Sequence, residues 1–267
     1  MRIKAPLLFT AVLCILLYAC TPAVQPTAEP NDPLVIGSGI YEPYFYLDEN
    51  GSFAGIDIEI ITEACHRLGR TPVFRLIEWQ NKDDYLRSGA VDCLCGCFTM
   101  NGRESQYDWA GPYMRTRQVV FVSESSGIRQ LSDLNGRRIA VQYGSRLENL
   151  LLNHQIPQIT DLGNVYSLAS IEMVFAALKK GYVDACAGNE TTFRLYMEQR
   201  DGAYRVLDDS LFTAQLGIGF YKGSPDGCAE ALTRVLDEMR IDGTIAAILQ
   251  KYGVEPGFSL SFDAATE

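Results

Sequence analysis

The pattern G-x-V-D-x-x-x-G occurs twice, as Gly89-Ala90-Val91-Asp92 leading to Gly96 and as Gly181-Tyr182-Val183-Asp184 leading to Gly188. Each copy follows a stretch with helical spacing, residues 84–88 and 173–180. A glycine there suits the position just past a helix, where the backbone turns through positive φ. The valine then opens a buried strand. A helix, a glycine turn and a strand used twice point to two lobes made from one supersecondary unit; chance identity at four positions is the alternative.

Around the repeats, short β-branched runs alternate with amphipathic ones. Leu34-Val35-Ile36 reads as a strand, and 73–77, 91–96, 119–122, 139–141, 183–187 and 218–221 as later strands. Ile61, Ala64, Cys65 and Leu68 follow i, i+3, i+4, i+7 and so share one helix face. Ile171, Val174, Phe175 and Leu178 repeat that spacing, as do Leu232, Val235, Leu236 and Met239. Such alternation implies an α/β architecture with largely parallel sheets. Ligands of open α/β sheets sit beyond the carboxyl ends of strands. That rule points to residues 97–103 in one lobe and 188–190 in the other.

The N-terminus reads as an address. Arg2 and Lys4 precede an uncharged apolar run at 5–19, shorter than the roughly 20 residues of a membrane span and right for a signal sequence. It ends Leu17-Tyr18-Ala19-Cys20, which resembles a bacterial lipobox with Cys20 as the lipidated residue. Tyr18 is bulkier than the usual occupant of its position. A simple signal peptide or a short membrane anchor are the other readings of this run. Residues 1–20 are therefore expected to be a signal peptide. The proline-rich stretch 21–32, which cannot bury enough surface to fold, is expected to be a flexible tether. The body would then work outside the cytoplasmic membrane, in the periplasm or at the cell surface.

Charge excludes more than it assigns. There are 33 acidic and 23 basic side chains and a formal charge of −10; losing Arg2 and Lys4 with the signal would leave −12. Nucleic acid, which needs a basic face, is not an expected partner. His66 and His154 are the only histidines, so zinc hydrolases and serine–histidine triads have little to build on.

A longer series of motifs carries the functional reading. Gly55-Ile56-Asp57-Ile58-Glu59-Ile60, then Ala64-Cys65 and Leu68, resembles the signature of the extracellular solute-binding proteins of family 3. In order along the chain, Tyr41 to Asp48, Ser88 to Asp92, Asp108 to Tyr113, Leu131 to Gly136 with Ala140 to Ser145, and Asp242 to Thr244 with Tyr252-Gly253 fit the family's later segments. The resemblance spans 33–255. It implies a two-lobed Venus-flytrap fold (periplasmic binding protein type II), each lobe a mostly parallel sheet flanked by helices. Two hinge strands, near 118–122 and 215–220, would join the lobes. Lobe one is expected at 33–118 plus 217–267 and lobe two at 119–216. The implied role is a lipid-anchored receptor that binds an amino acid or related small carboxylate and delivers it to an ABC transporter permease, acting as a monomer with no cofactor.

The same resemblance nominates site residues. A ligand carboxylate would meet Arg103, expected in the first turn of a helix in lobe one. Arginine there opposes the helix dipole unless an anion comes to sit beside it, and guanidinium pairs with carboxylate bidentately. A surface arginine paired with Glu104 or Asp108 is the bland reading. Across the cleft, Ser145-Arg146-Leu147-Glu148 reads as a capping box opening a helix, leaving the Arg146 amide free for the ligand. Tyr41 and Trp79 match positions whose aromatic rings cover the ligand, although either could belong to the core. Three positions depart from the family pattern. Phe98 replaces a small hydroxyl residue, Asn189 stands where an aspartate grips the ammonium, and Ser38 stands where an acid is common. Glu190 could compensate if the strand end slips by one residue. Losing these acids leaves a carboxylate with a neutral, aromatic body fitting at least as well as a standard α-amino acid.

Cys93, Cys95 and Cys97 alternate along a strand and should share one face as small buried apolar groups under the first helix. A bridge from one of them to Cys65 stays open, whereas Cys186 and Cys228 fall in different lobes. No metal is expected, since no CxxC pair or nearby histidine supplies converging ligands. Two other functions remain in view: a sensor presenting its closed state to a membrane receptor, and a cyclohexadienyl or arogenate dehydratase with Glu190 or Glu148 as proton donor.

Overall fold

The aspartates of the two repeats do the same job in two places. Asp92 Oδ2 accepts from the Val35 N–H at 2.7 Å, and the Asp92 N–H donates back to the Val35 carbonyl at 2.8 Å. Asp184 Oδ2 accepts from the Arg138 N–H at 2.9 Å, and its own N–H donates to the Arg138 carbonyl at 2.9 Å. Each aspartate thus ties the chain leaving a helix to the start of a neighbouring strand. The preceding glycines have φ of +69° at Gly89 and +71° at Gly181, a conformation costly for any residue with a Cβ. The repeat is structural.

The structure, a computed structural model, describes residues 33–199, 203–224 and 227–262. The leader, Cys20 and the proline-rich stretch lie outside them. In chain order the elements are β1 (Pro33–Ser38), β2 (Tyr46–Leu47), β3 (Phe53–Ala54), α1 (Ile56–Arg67), β4 (Thr71–Leu76), α2 (Lys82–Arg87) and β5 (Cys93–Leu94). Then come β6 (Tyr107–Ser123), β7 (Arg138–Gln142), α3 (Arg146–Leu152), β8 (Asn164–Leu168), α4 (Ile171–Lys179), β9 (Ala185–Asn189) and α5 (Glu190–Gln199). The chain finishes with β10 (Tyr204–Val206), β11 (Phe212–Tyr221), α6 (Cys228–Ile241), α7 (Thr244–Lys251) and α8 (Pro256–Ser259).

One path of hydrogen-bonded strands runs β4-β1-β5-β11-β6-β9-β7-β8, with β10 added alongside β6. β1 pairs in parallel with β4 and β5, and β7 with β8 and β9. Between these parallel groups run β6 and β11, antiparallel to each other from Phe212↔Gln118 to Tyr221↔Tyr107. They are the two strands that pass between lobes. The α/β Venus-flytrap architecture expected from the sequence is what forms.

Each lobe has its own core on each face of its sheet. Leu34, Ile36, Ile60, Leu216, Leu232 and Leu249 are buried together under α1, α6 and α7. Ile77, Leu86, Val91 and Phe98 are buried near α2. In lobe two, period-2 alternation on β6 sends Val120 and Val122 into a cluster with Leu147 and Leu151 of α3. It sends Val119 and Phe121 to the other face with Val174, Phe175 and Phe193. Phe121 stacks on Phe193 at 4.9 Å and on Tyr204 at 5.1 Å between ring centroids. Burying one such ring contributes about 1.5–3 kcal/mol. On the return strand, Ala214 and Leu216 pack in the first core, so β11 changes lobes close to Phe212.

Several element boundaries differ from the sequence expectation. The run 91–96 pairs only at β5, because Gly96 at φ +89° and Cys97 at φ +59° turn the chain out of the sheet. Cys93 and Cys95 are buried beneath α1 near Cys65, and Cys97, partly buried in that turn, packs against the same core. All six described cysteines are free thiols. The second repeat's strand is β9, two residues later than 183–187. β8 has half-exposed side chains and a single β-branched residue, so no apolar run marks it.

The loop that leaves β5 is pinned from α1. Asp57, fully buried, accepts from the Gly96 N–H at 2.8 Å, the Cys97 N–H at 3.0 Å and the Tyr113 hydroxyl at 2.8 Å. Burial raises its pKa from 3.8 to about 6, against the opposing pull of those three donors. An acid whose folded pKa is raised holds its proton longer in the folded state than in the unfolded one. Stability from this group should therefore fall as pH rises from about 4 to about 6 and stay flat above. Denaturant melts across that window should show the decline in the parent and its loss in Asp57→Asn. Asp57→Ala, which strands three buried donors, should destabilise by roughly 2–4 kcal/mol at pH 7.

Candidate functional site

A cavity of about 40 Å³ lies where the lobes face one another, room for a few waters at most. Its lobe-one wall comes from Tyr41, Trp79 and the turn carrying Cys97, Phe98, Thr99 and Arg103. Its lobe-two wall comes from Gln142, at the carboxyl end of β7, and from Ser145, Arg146 and Leu147. Gln118 and Phe212, on the two crossing strands, complete it. The strand-end rule finds the lobe-one wall and misplaces the other, since residues 188–190 do not line the cavity.

Arg103 does not open a helix. The Arg103 N–H donates to Met100 O and the Gln106 N–H to Arg103 O, consecutive turns set by Gly102 at φ +71°. The helix-dipole argument for this residue therefore falls. What takes its place is a guanidinium reaching across the cleft, where Nη2 donates to the Gly144 carbonyl of lobe two at 2.9 Å. Its Cζ lies 5.3 Å from the Phe98 ring centroid, within cation–π range. Burial lowers its pKa; Tyr107 and nearby acids raise it while Arg146 lowers it. Neither Glu104 nor Asp108 pairs with it: Glu104 accepts from the Gly102 N–H at 3.0 Å, and Asp108 pairs with Lys222 at 2.7 Å.

Arg146 approaches the same point from lobe two. A Cβ built on Gly102 would fall 2.6 Å from its Cζ, so the guanidinium lies against backbone that only glycine leaves open. Its Nη1 donates to Asn149 Oδ1 at 2.7 Å. Ser145 caps α3 by accepting from the Glu148 N–H at 3.0 Å, while Glu148 Oε2 accepts from the Gly144 N–H at 2.6 Å. Lys82 is buried behind, its Nζ 5.5 Å from the Trp79 centroid and 3.5 Å from Asp83 Oδ2. Burial lowers its pKa as well.

The aromatic wall is continuous. Trp79 meets Phe98 edge-on at 5.1 Å, and Phe98 contacts Tyr107 at 5.2 Å and Trp109 at 4.8 Å. Phe98 is itself buried and forms part of the wall that lines the cavity. Burial, more than any neighbour, raises the Tyr41 phenol pKa.

Two nominated residues stand behind the cavity. Ser38 is buried, donates to the Gly39 carbonyl at 2.8 Å and packs on Gly96, where an added Cβ would meet its Oγ at 1.9 Å. Asn189 is fully buried and its amide is taken up by protein. Nδ2 donates to Thr116 Oγ1 at 2.9 Å and to Cys97 Sγ at 3.2 Å; Oδ1 accepts from Tyr44 Oη at 3.2 Å and Thr192 N at 3.3 Å. Glu190 does not compensate for a missing acid. Its carboxylate is held by Arg117 at 2.6 and 2.9 Å and by Arg194 at 2.6 Å. Together with Phe258 they line a separate recess of about 380 Å³.

Cys97 and Thr99 fall in the segment 97–103 that the strand-end rule indicated; Gln118, Gln142, Leu147 and Phe212 were not nominated from the sequence. Gln142 carried a usable signal, as the last residue of a strand before a capping box. Gln118 and Phe212 reach the cavity only through the crossing of the two long strands. Among the described residues no cluster of three or more His, Cys, Asp or Glu could hold a metal ion, and no helix is long and apolar enough to span a membrane.

Known proteins share this fold and family. The probable amino-acid-binding protein YxeM of Bacillus subtilis is 24% identical over 93% of this chain and 94% of its own. The structure of Tv2483 bound to L-arginine superposes with a TM-score of 0.75 at 28% identity, covering 85% of this chain and 92% of that one. An ancestral amino-acid-binding protein, described as a precursor of cyclohexadienyl dehydratase, shares the fold with a TM-score of 0.72 at 23% identity, over 82% of this chain and 95% of that one. The model of the bacterial extracellular solute-binding proteins, family 3, matches residues 34–255. The chain is a member of that family, a binding protein rather than an enzyme.

Proposed function

We propose that this protein is an extracytoplasmic receptor, lipid-anchored through Cys20, that captures an amino acid or related small carboxylate and hands it to an ABC importer. The observation that carries the reading is the meeting of Arg103 and Arg146, one from each lobe, at a single aromatic-walled cavity. Residues 33–118 and, on the return strand, those from Ala214 onward form lobe one, and the stretch between forms lobe two, since Ala214 and Leu216 already pack in the first core. The ligand carboxylate sits between the guanidiniums, with Ser145 and the Arg146 amide beside it. Tyr41 and Trp79 cover the ligand's flat faces, and Ser38, Phe98 and Asn189 hold the walls in place.

Closure is the working motion. Arg103 Nη2 reaches Gly144 O at 2.9 Å, Tyr44 Oη reaches Asn189 Oδ1 at 3.2 Å, and Thr192 Oγ1 reaches Glu42 O at 2.9 Å. These contacts cross between lobes and describe a closed state. A ligand that touches both lobes favours that state, because only differential affinity shifts such an equilibrium. A monomeric closed form then offers the permease one surface.

Arg103→Ala should weaken binding of a carboxylate ligand by about 2 kcal/mol or more, roughly thirtyfold in Kd. Calorimetry reads this directly, and an unchanged Kd would remove Arg103 from the site. Trp79→Ala should cost about tenfold for ligands with a ring and little for those without one. Cys20→Ala should move the protein from the membrane fraction to the soluble fraction; retention in membranes would exclude the anchor.

A further inference from the structure

The charges around the cavity do not balance. Arg103 and Arg146 both line it, and the side-chain contacts of both are with neutral oxygens: the Thr99 and Gly144 carbonyls for one and the Asn149 amide for the other. Among the described residues that line it there is no aspartate or glutamate; the remaining polar groups are the amides of Gln118 and Gln142, hydroxyls and one thiol.

The nearest acids do not line the cavity, and those beside Arg103, Asp83 and Glu148, each already hold a protein donor. Asp57 is fully buried, with both oxygens taken by Gly96, Cys97 and Tyr113. Glu148 holds the Gly144 N–H at 2.6 Å, Asp83 accepts from Tyr107 Oη at 2.5 Å, and Glu190 holds Arg117 and Arg194. Glu78 and Glu172 line an adjoining recess of about 470 Å³ that shares Trp79 and Gln142 with the cavity. An α-ammonium is one carbon away from its carboxylate, so it must sit in the inner cavity beside the guanidiniums. Glu78 and Glu172 line that recess and not the cavity.

Accepting the receptor reading above, we infer that the ligand is a small carboxylate with no free α-ammonium: a 2-oxo, 2-hydroxy, N-acylated or unsubstituted acid. A zwitterion would place a second cation next to two guanidiniums with no carboxylate to receive it. Burying a charge without an opposite partner is expensive, and neutral amides recover only part of that cost. Replacing the ammonium with a carbonyl, hydroxyl or amide removes the conflict. It also gives Gln118, Gln142 and Thr99 a group that they can hydrogen-bond. The fully engaged Asn189 amide fits the same account, since nothing at that position is left to grip an ammonium.

A thermal-shift panel on the mature protein tests this. Each common L-α-amino acid is run beside its 2-oxo, 2-hydroxy, N-acetyl and des-amino counterparts with the same side chain, and the leading set is then titrated by calorimetry. The expected result is that the largest shift comes from an ammonium-free member, which binds at least about tenfold more tightly than its amino-acid counterpart. A free amino acid that binds more tightly than all its counterparts overturns the inference and leaves the receptor reading standing. No shift from any compound counts against a small-carboxylate receptor altogether, and the inference falls with it.

Discussion

Two antiparallel strands carry the whole molecule. β6 and β11 run side by side from Phe212↔Gln118 to Tyr221↔Tyr107, with one irregularity between Leu216 and Ile218. On β6, Ala110, Tyr113 and Met114 pack in one core while residues 119–122 pack in two others. Strands resist stretching and shear because each residue is fixed in a ladder, but a ladder can bend and twist. Each lobe has its own buried cores, and this ladder is what joins them. The cavity sits on the joint, where Gln118 and Phe212 form part of its wall. The closure proposed for this protein would bend these two strands at that joint.

Placement of the site follows from local conflicts resolved by specific side chains. After β5 the chain must leave the sheet, and it does so through Gly96 and Cys97 at positive φ. That conformation is unusual for cysteine and needs outside support. Asp57 supplies it by accepting both amides. The signature aspartate is thus a fixture for the lobe-one wall, and its burial is tolerated because every oxygen has a donor. On the other side, Gly102 gives way to Arg146, which lets two like charges approach one point. Clustered cations of this kind cost stability in the free protein and become favourable when an anion arrives. That is the pattern expected of a site built for binding rather than for folding.

How much of this was legible beforehand varied with the range of the interactions. The helices with i, i+3, i+4, i+7 faces formed where their periodicity placed them, because one apolar face decides both local structure and packing. The repeated glycine and aspartate were also readable, since turn chemistry and a short return to the adjacent strand are local facts. Arg103 lines the cavity, but no helix begins there, so the local reason for nominating it does not hold. Asn189 and Ser38 were placed at the ligand by position alone; the structure turns both toward protein partners behind the cavity. A linear reading fixes which loop a residue occupies and leaves open which way its side chain points.

The chain alone determined its class: alternating apolar periods, paired glycine turns and an ordered series of motifs are one-dimensional signals of α/β units used twice. It also determined, through composition, that acids outnumber bases. Only the tertiary structure decided what the cleft contains. Arg103 and Arg146 are separated by 43 positions of chain and a change of lobe, and their convergence depends on how far two rigid bodies close. Many of the described acids of an acidic protein, Asp92, Asp184 and Glu190 among them, are drawn into strand ties and ion pairs away from the cavity. Among the described residues, two guanidiniums and no carboxylate line the site, and electrostatics depends on distance in space and not on count along the sequence.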